Sequence, residues 1–425
     1  MRQFNLTRNT IFAVASFTLT VLLVAISYRL IIKYHGIETV GLWSSLSAWT
    51  TLIRFGDMGM SSASVRFVAL SNLEPGKSKL HSYIETSVIA NVAIYVTLGI
   101  ISYFIIEMNI SHIVEEGRLG EVKSLIPLMI FGFVILNISG VILGCLQGLH
   151  LGYLNSSINV LGYLVQIVVV LILVPKNGLL GMAWAQLAQY TFTMTVSWIF
   201  IRSKSGIRGV VPINFSMPAF REMIAYSSKV QAAGLANGLF EPLTKILMQK
   251  FGNLEILGVF ELAYKTVSLT RNLVASGVSA SLPALTSLIS SARSQAIDLY
   301  ETSKRRTILA SIIVFVAICL ASPIISYLWI GKLEHKYIVF VLVLSIGFLI
   351  NVYAAPAYLL GMALGVMRHN VLGATLSTLT LIVMGAALGQ LLGGLGVVIT
   401  VSVCSVISAI LIKRGNEKIF YQSSE

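Results

Sequence analysis

The sequence predicts an all-α membrane protein of about 12 transmembrane helices, arranged as two pseudo-symmetric bundles of six. Three observations predict this fold class. Of the 425 residues, 56% are hydrophobic and only 11% are charged, and apolar runs long enough to cross a bilayer recur along the whole chain. The chain also repeats itself at a fixed offset, and its basic residues fall mainly in the loops on one side of the predicted spans.

The internal repeat relates residues that lie 217 positions apart. The stretch that begins at Gly41 (GLWSSLSAWTTLIRFGDMGMSSASVRF) matches the stretch that begins at Gly258 (GVFELAYKTVSLTRNLVASGVSASLPA), and Arg54 aligns with Arg271. The same offset aligns Lys33 with Lys250, Leu52 with Leu269, Ser62 with Ser279, and Gly144 with Gly361. The repeat therefore predicts two halves of parallel topology, which membrane transporters commonly have around a site near the bilayer midplane.

The apolar runs and the loop signals between them predict six spans in each half. Those of the first half are 10–33, 40–70, 82–107, 124–147, 153–174 and 178–201. Those of the second half are 222–249, 255–289, 306–329, 337–364, 370–391 and 395–413. The predicted domains are accordingly an N-terminal bundle (1–205), a cytoplasmic linker (206–221) and a C-terminal bundle (222–425).

The distribution of basic residues predicts that both termini are cytoplasmic, because an even number of spans places them on one side. That arrangement assigns to the cytoplasm Arg2, Arg8, Lys77, Lys79, Arg202, Lys204, Arg208, Arg221, Arg293, Lys304, Arg305, Arg306, Arg368, Lys413, Arg414 and Lys418. The opposite side receives fewer: Lys33, Arg118, Lys123, Lys176, Lys250, Lys332 and Lys336. The net charge of +13 thus reports membrane topology rather than a surface for nucleic acid.

Polar side chains recur at helical spacing along three of the predicted spans, so each of these helices has one polar face. The second span carries Ser47, Thr50, Arg54, Asp57 and Ser61. The seventh carries Gln231, Gly234, Gly238, Glu241 and Lys245. The eighth carries Glu261, Lys265, Ser268, Asn272 and Ser279, with Arg271 at the edge of the face. Faces of this kind avoid lipid, and we expect them to line a hydrated cavity between the halves.

Arg54 and Arg271 fall near the middle of repeat-equivalent spans, where an arginine is costly and indicates function. The planar guanidinium suits phosphate and carboxylate groups, so the pair predicts an anionic substrate. Lys245 and Lys265 are expected to join them in a cationic cavity. Glu241, Asp57 and Glu261 are candidates for coupling or gating, because a carboxylate in an apolar span can exchange a proton or sodium ion.

Local ion pairs are the alternative interpretation of these charges. Arg54 with Asp57, Glu241 with Lys245, and Glu261 with Lys265 all have helical salt-bridge spacing. Both interpretations remain open for the three pairs. Arg271 has no such partner on its own helix, which favours a role in binding.

The sequence contains no pattern typical of an enzyme, a cofactor site or a metal site. There is no P-loop and no soluble domain to hold ATP, so transport driven by ion or potential gradients is expected. Cys145, Cys319 and Cys404 lie inside apolar spans without paired spacing, which argues against a disulfide framework.

The N-terminal segments FNLTRNTIFAVAS, YHGIETVGLWS and FGDMGMSSASVRF, together with the two six-helix halves, resemble the multidrug, oligosaccharidyl-lipid and polysaccharide (MOP) exporter superfamily. Within it the chain is similar to the polysaccharide-transport branch, the Wzx-type flippases of O-antigen and capsule repeat units. The resemblance implies a V-shaped fold like that of multidrug and toxin extrusion (MATE) transporters. It also implies transport of an undecaprenyl-pyrophosphate-linked oligosaccharide across a bacterial inner membrane, with Arg54 and Arg271 holding the pyrophosphate.

Two departures and two alternatives qualify this resemblance. Lipid II flippases usually have two further helices. Drug exporters often have an acidic residue in the first helix, whereas the only charged residues between positions 10 and 33 of this chain are Arg29 and Lys33.

A cation-coupled exporter of small molecules is the first alternative, and Glu241 and Asp57 keep it open. A membrane glycan polymerase or ligase is the second, although such enzymes usually have a larger outer loop than 108–123. The expected partners are the lipid-linked substrate, a coupling proton or sodium ion, membrane lipids and other glycan-assembly proteins.

Overall fold

The computed structural model describes residues 6–52, 59–73, 79–113, 116–207, 209–279 and 282–422, and every regular element in these ranges is helical. The α-helices are α1 (Leu6–His35), α2 (Ile37–Leu52), α3 (Met60–Leu73), α4 (Leu80–Ile113), α5 (Leu119–Gly148), α6 (Gly152–Ser205), α7 (Met217–Phe251), α8 (Leu254–Ser279), α9 (Leu282–Ser291), α10 (Arg293–Ile330), α11 (His335–Tyr353), α12 (Ala355–Ala363), α13 (Arg368–Leu392) and α14 (Gly394–Gln422). A short 3₁₀ helix at Glu116–Arg118 precedes α5.

Eight helices among the described residues are long and apolar enough to cross a membrane, so the chain is a multi-pass membrane protein. One of the eight, α6, contains 54 residues and covers two predicted spans. Its two parts meet at Gly178, where φ is 52° and ψ is −124°, a conformation that glycine tolerates best. Helix α8 contains 26 residues and is not among the eight, because its polar face, which includes Glu261 and Lys265, lowers its hydropathy.

Three predicted spans are described as pairs of helices. The span 40–70 corresponds to α2 and α3, and the span 255–289 to α8 and α9. The predicted span 337–364 is confirmed as one long apolar helical stretch, His335–Ala363, with an interruption that was not predicted: α11 ends at Tyr353 and α12 begins at Ala355. Pro356 explains that break, since it lies in the first turn of α12 and has no N–H to donate to the carbonyl oxygen of Val352 in α11.

The first compact unit comprises Met1–His35 and Trp49–Ala233. Its core lies between α3, α4, α5 and α6, where Tyr95 and Phe133 pack edge to face with ring centroids 5.8 Å apart. Helix α1 packs on α6, and the imidazole of His35 lies 3.0 Å from the carbonyl oxygen of Val174.

The segment before α7 is bound to α4 within this first unit. The buried carboxylate of Glu85 accepts backbone N–H groups of Ile213 at 3.1 Å and Asn214 at 2.7 Å. The hydroxyl of Thr86 accepts the N–H of Ser216 at 2.9 Å. These bonds satisfy irregular backbone that has no helical partner, and they fix the C-terminal part of the predicted linker against one helix.

The second compact unit comprises Gly36–Ala48 and Gly234–Glu425. In it α14 packs closely on α11, because a methyl group at Gly347 would lie 2.5 Å from the Cα atom of Ser402. One helical turn after Gly347, the side-chain amide of Asn351 reaches the carbonyl oxygen of Ser405 at 3.5 Å. Asn351 therefore lies on the face of α11 that packs on α14.

Candidate functional site

Helices α2 and α8 cross at two glycines that are equivalent in the internal repeat. A methyl group at Gly41 would lie 1.9 Å from the carbonyl oxygen of Leu254, and one at Gly258 would lie 2.4 Å from that of Ile37. Ile37 and Leu254 are themselves repeat equivalents, so the contact is reciprocal, as in a two-fold interface. A side chain at either glycine would separate the helices, and their close approach brings the polar residues of the next turn together.

Four charged side chains beside this crossing form one network, the charge quartet, which consists of Glu241, Lys245, Glu261 and Lys265. The ammonium of Lys245 lies 2.9 Å from a carboxylate oxygen of Glu241 and 3.0 Å from one of Glu261. The ammonium of Lys265 lies 3.6 Å from Glu241 and 3.7 Å from Glu261. Two lysines and two carboxylates have no net charge when all four are ionised.

The quartet has a buried inner pair and an accessible outer pair. The side chains of Lys245 and Glu261 are 6% and 2% exposed, and those of Glu241 and Lys265 are 41% and 30% exposed. Ser44 on α2 also donates its hydroxyl to Glu261 at 2.7 Å. A buried ion pair needs such additional hydrogen bonds to offset its loss of hydration, and the Ser44 hydroxyl supplies one to the inner pair.

The structure confirms the local ion pairs that helical spacing predicts for Glu241 with Lys245 and for Glu261 with Lys265. It adds two pairs between helices, which spacing on one helix does not reveal. The third predicted pair involves Arg54 and Asp57, and both residues lie outside the described ranges.

Arg271 has neutral partners. Its Nε–H donates to the side-chain oxygen of Asn351 at 2.9 Å, and one terminal N–H donates to that of Asn272 at 3.3 Å. No described residue forms a salt bridge with it. Amide oxygens hold the guanidinium in place without cancelling its charge, so Arg271 presents a net positive charge that the quartet does not neutralise.

Two pockets inside the second unit share part of their walls, including Arg271, and we refer to them as the two lobes of one cleft. The first, which we call the polar lobe, has a volume of about 430 Å³ and is lined by Phe240, Tyr264, Arg271, Phe348, Asn351, Tyr358, Ala374, Ser377, Cys404, Ser405 and Ser408. The second, the apolar lobe, has a volume of about 420 Å³ and is lined by Arg271, Ala275, Ser279, Asn351, Val352, Ala354, Ala355, Tyr358, Leu359, Met362, Ser408 and Ile412. Each volume is in the range of small-molecule sites.

The sequence predictions found the charges of this unit but missed the neutral residues around them. Asn351 is a single amide in the long apolar run of α11, and that interruption was the available signal. Tyr264 and Tyr358 had no signal, since aromatic residues are common in packed helices. Within the described ranges, no group of three or more His, Cys, Asp or Glu side chains could hold a metal ion.

Residues 6–289 match the model of a family described as polysaccharide biosynthesis protein. No curated protein is significantly similar in sequence. The solved structures that resemble the chain include an inward-facing multidrug resistance MATE family transporter of the MOP superfamily, with 14% identity over 94% of both chains and a TM-score of 0.83.

Two further structures resemble it over almost their whole length. One is a MOP superfamily transporter from Pyrococcus furiosus, with 15% identity, coverage of 99% of this chain and 96% of that chain, and a TM-score of 0.69. The other is the lipid II flippase MurJ in an inward closed conformation, with 16% identity, coverage of 97% and 89%, and a TM-score of 0.70. These likenesses confirm the predicted superfamily fold.

Proposed function

This chain belongs to the polysaccharide biosynthesis protein family, and we propose that it is a flippase for a lipid-linked glycan. The proposed substrate is an undecaprenyl-pyrophosphate-linked oligosaccharide repeat unit, such as that of O-antigen or capsule. Alternating access moves it from the cytoplasmic to the periplasmic leaflet of a bacterial inner membrane, with both termini of the protein in the cytoplasm. The observation that carries the proposal is the guanidinium of Arg271, which has no salt-bridge partner in the described part of the chain and lies in the wall of an intramembrane cleft.

The charge balance of the second unit favours an anionic ligand. The quartet neutralises itself, so Arg271 determines the sign of the charge in the adjoining cleft. A guanidinium inside apolar spans is retained at a free-energy cost, and a substrate anion offsets that cost when it binds. Pyrophosphate offers several oxygens to the fork of N–H donors.

The other predicted cations complete the proposed site. Arg54, the repeat equivalent of Arg271, is proposed as the second pyrophosphate ligand, and Lys265 contributes its accessible ammonium. Lys245 is nearly enclosed between two carboxylates. We therefore propose that Lys245 does not contact the substrate. When one of the two carboxylates is protonated, the charge of Lys245 is no longer neutralised and attracts the pyrophosphate from a distance.

The proposed energy source is a proton or sodium gradient that acts on the carboxylates. Glu241 is the favoured coupling group, because it is the accessible carboxylate of the quartet and contacts both lysines. Glu261 stabilises the inner pair, and Asp57 is a further candidate. No cofactor is required, and no bond of the substrate is broken.

A cation-coupled exporter of small molecules is a second candidate, which the 41% exposure of the Glu241 side chain favours. To bind there, an organic cation would have to replace Lys245 and Lys265 as the partner of the Glu241 carboxylate. Binding of tetraphenylphosphonium, weakened by Glu241→Gln and unaffected by Arg271→Ala, would support the exporter and contradict the flippase.

Genetic complementation tests the flippase directly. In a strain that lacks its O-unit flippase, wild-type protein should restore surface glycan, and Arg271→Ala and Arg54→Ala should not, although both variants insert in the membrane. Lysine at either position keeps the charge but loses the fork, so we expect partial recovery. Full surface glycan from both alanine variants would contradict the proposal.

A further inference from the structure

The cleft of the second unit changes character at Arg271. Asn351, Tyr358 and Ser408 line both lobes together with the arginine, so these four residues form the junction. On one side of the junction the wall carries aromatic rings and hydroxyl groups, and on the other it carries aliphatic side chains. The guanidinium thus lies where a polar and an apolar compartment meet.

The polar lobe has the chemistry of a sugar site. Tyr264 and Phe348 pack edge to face with centroids 5.8 Å apart, and Phe240 is half-buried in the same wall. Ring faces of this kind cover the C–H face of a pyranose, and the hydroxyls of Ser405 and Ser408 can bond its hydroxyl groups. Arg271 is the one charged residue among the described residues that line this lobe, and the neutral remainder of the wall suits an uncharged saccharide.

The apolar lobe has the chemistry of a hydrocarbon site. Val352, Leu359 and Ile412 supply branched side chains, and the small side chain of Ala355 leaves room between them. Met362 is 41% exposed and lines the same wall with a flexible thioether side chain. A branched isoprenoid chain would bury apolar surface in this lobe.

We infer that the two lobes bind the two ends of one amphipathic substrate, with its pyrophosphate on Arg271. The first sugar enters the polar lobe, and the isoprene units next to the pyrophosphate enter the apolar lobe. This inference rests on the proposed function and adds to it the position of each part of the substrate. The protein then selects substrates in which a sugar, a pyrophosphate and a lipid chain follow one another along the molecule.

Equilibrium binding to the purified full-length protein in lipid nanodiscs tests the inference with three probes. Inorganic pyrophosphate carries only the anion, undecaprenyl pyrophosphate adds the lipid, and undecaprenyl-pyrophosphoryl-N-acetylglucosamine adds a sugar. Phe240→Leu removes a ring from the polar lobe, and Phe240→Tyr is its control. Met362→Asn places an amide in the apolar lobe, and Met362→Leu is its control.

Each variant should change a different subset of affinities. Phe240→Leu should weaken binding of the sugar-bearing probe alone, by about tenfold, and Met362→Asn should weaken both lipid probes by a similar factor without affecting inorganic pyrophosphate. Both controls should bind as wild type. Equal losses for all three probes, or no loss from either variant, would overturn the inference.

The response of Arg271→Ala separates this inference from the proposed function. If Arg271→Ala weakens all three probes while the lobe variants change nothing, the anion site stands and the two-lobe assignment is wrong. If Arg271→Ala binds all three probes as wild type does, the proposed pyrophosphate site itself is wrong, and the assignment built on it is overturned too.

Discussion

Ser44 and Glu261 occupy equivalent positions in the internal repeat, and the serine hydroxyl donates to the glutamate carboxylate at 2.7 Å. Equivalent residues can touch only beside the local two-fold axis that relates their two helices. The reciprocal approach of Gly41 and Gly258 one turn earlier follows the same rule. At this pair of equivalent positions, a serine therefore faces a glutamate, and the glutamate is a member of the charge quartet.

The glycine crossing should be sensitive to single methyl groups. We expect Gly258→Ala and Gly41→Ala each to lower the free energy of unfolding by about 1–3 kcal/mol, because a methyl group would meet a backbone carbonyl of the opposing helix. The double variant should cost less than the sum, since either change already separates the helices. Thermal unfolding followed by tryptophan fluorescence in detergent measures this.

Gly277→Ala is the matched control for the crossing, because it lies on the same helix with no atom within 4 Å of the added methyl group. It should unfold at the wild-type temperature or slightly above, given the higher helix propensity of alanine. Equal stability of Gly258→Ala and Gly277→Ala would contradict the reciprocal contact.

The two lysines of the quartet should differ in their contribution to stability. Lys245→Met removes the ammonium at 3.0 Å from the buried carboxylate of Glu261 and leaves Lys265 at 3.7 Å beside the Ser44 hydroxyl, so we expect a loss of about 3–5 kcal/mol. Lys265→Met removes a more exposed ammonium and should cost about 0–1 kcal/mol. Thermal unfolding of the two variants at one pH gives the comparison.

A compensating change tests whether the buried charge is the cause. Neutralising both members of the inner pair, in Lys245→Met with Glu261→Gln, should recover most of the stability that Lys245→Met loses. If the double variant is no more stable than Lys245→Met alone, the loss arises from packing and the electrostatic explanation fails.

The sequence predicts the helices, the repeat and the same-helix ion pairs, because each depends on periodicity along the chain. It does not predict the contact between Ser44 and Glu261, since periodicity shows which side chains share a face and not which helix lies opposite. The bond between Arg271 and Asn351 also joins two distant helices. In the sequence Asn351 is an isolated polar residue in an apolar span. Its bond to Arg271 is visible only in the folded protein, where α11 lies beside α8.

Asn351 should act on binding through the charge it leaves on Arg271. Asn351→Asp places a carboxylate where the amide oxygen accepts the guanidinium N–H, so we expect the affinity for undecaprenyl pyrophosphate to fall by at least about tenfold. Asn351→Ser places a neutral side chain beside Arg271, so this variant should lose less affinity than Asn351→Asp. Affinity equal to wild type in Asn351→Asp would show that the free charge of Arg271 does not hold the anion.

Glu241 should couple the cycle to protons through the charge of the quartet. When all four groups are ionised the quartet is neutral, and protonation of Glu241 leaves it with one net positive charge beside the cleft. Binding of a pyrophosphate lipid should therefore tighten as the pH falls and weaken as the proton leaves. Glu241→Gln imitates the protonated form, so it should bind tightly at every pH tested and transport slowly.

Flux of a labelled lipid-linked glycan in reconstituted vesicles, measured against pH and against sodium, checks this expectation. A purely structural pair between Glu241 and Lys245 makes the opposite prediction: Glu241→Gln combined with Lys245→Met should then transport with the wild-type dependence on pH. The coupling role requires that this double variant lose the dependence, because no accessible carboxylate would remain in the quartet. Retained pH dependence in both variants would show that Glu241 is not the coupling group. A wild-type flux that responds to the membrane potential and to neither pH nor sodium would assign the driving force to the potential acting on the cationic site.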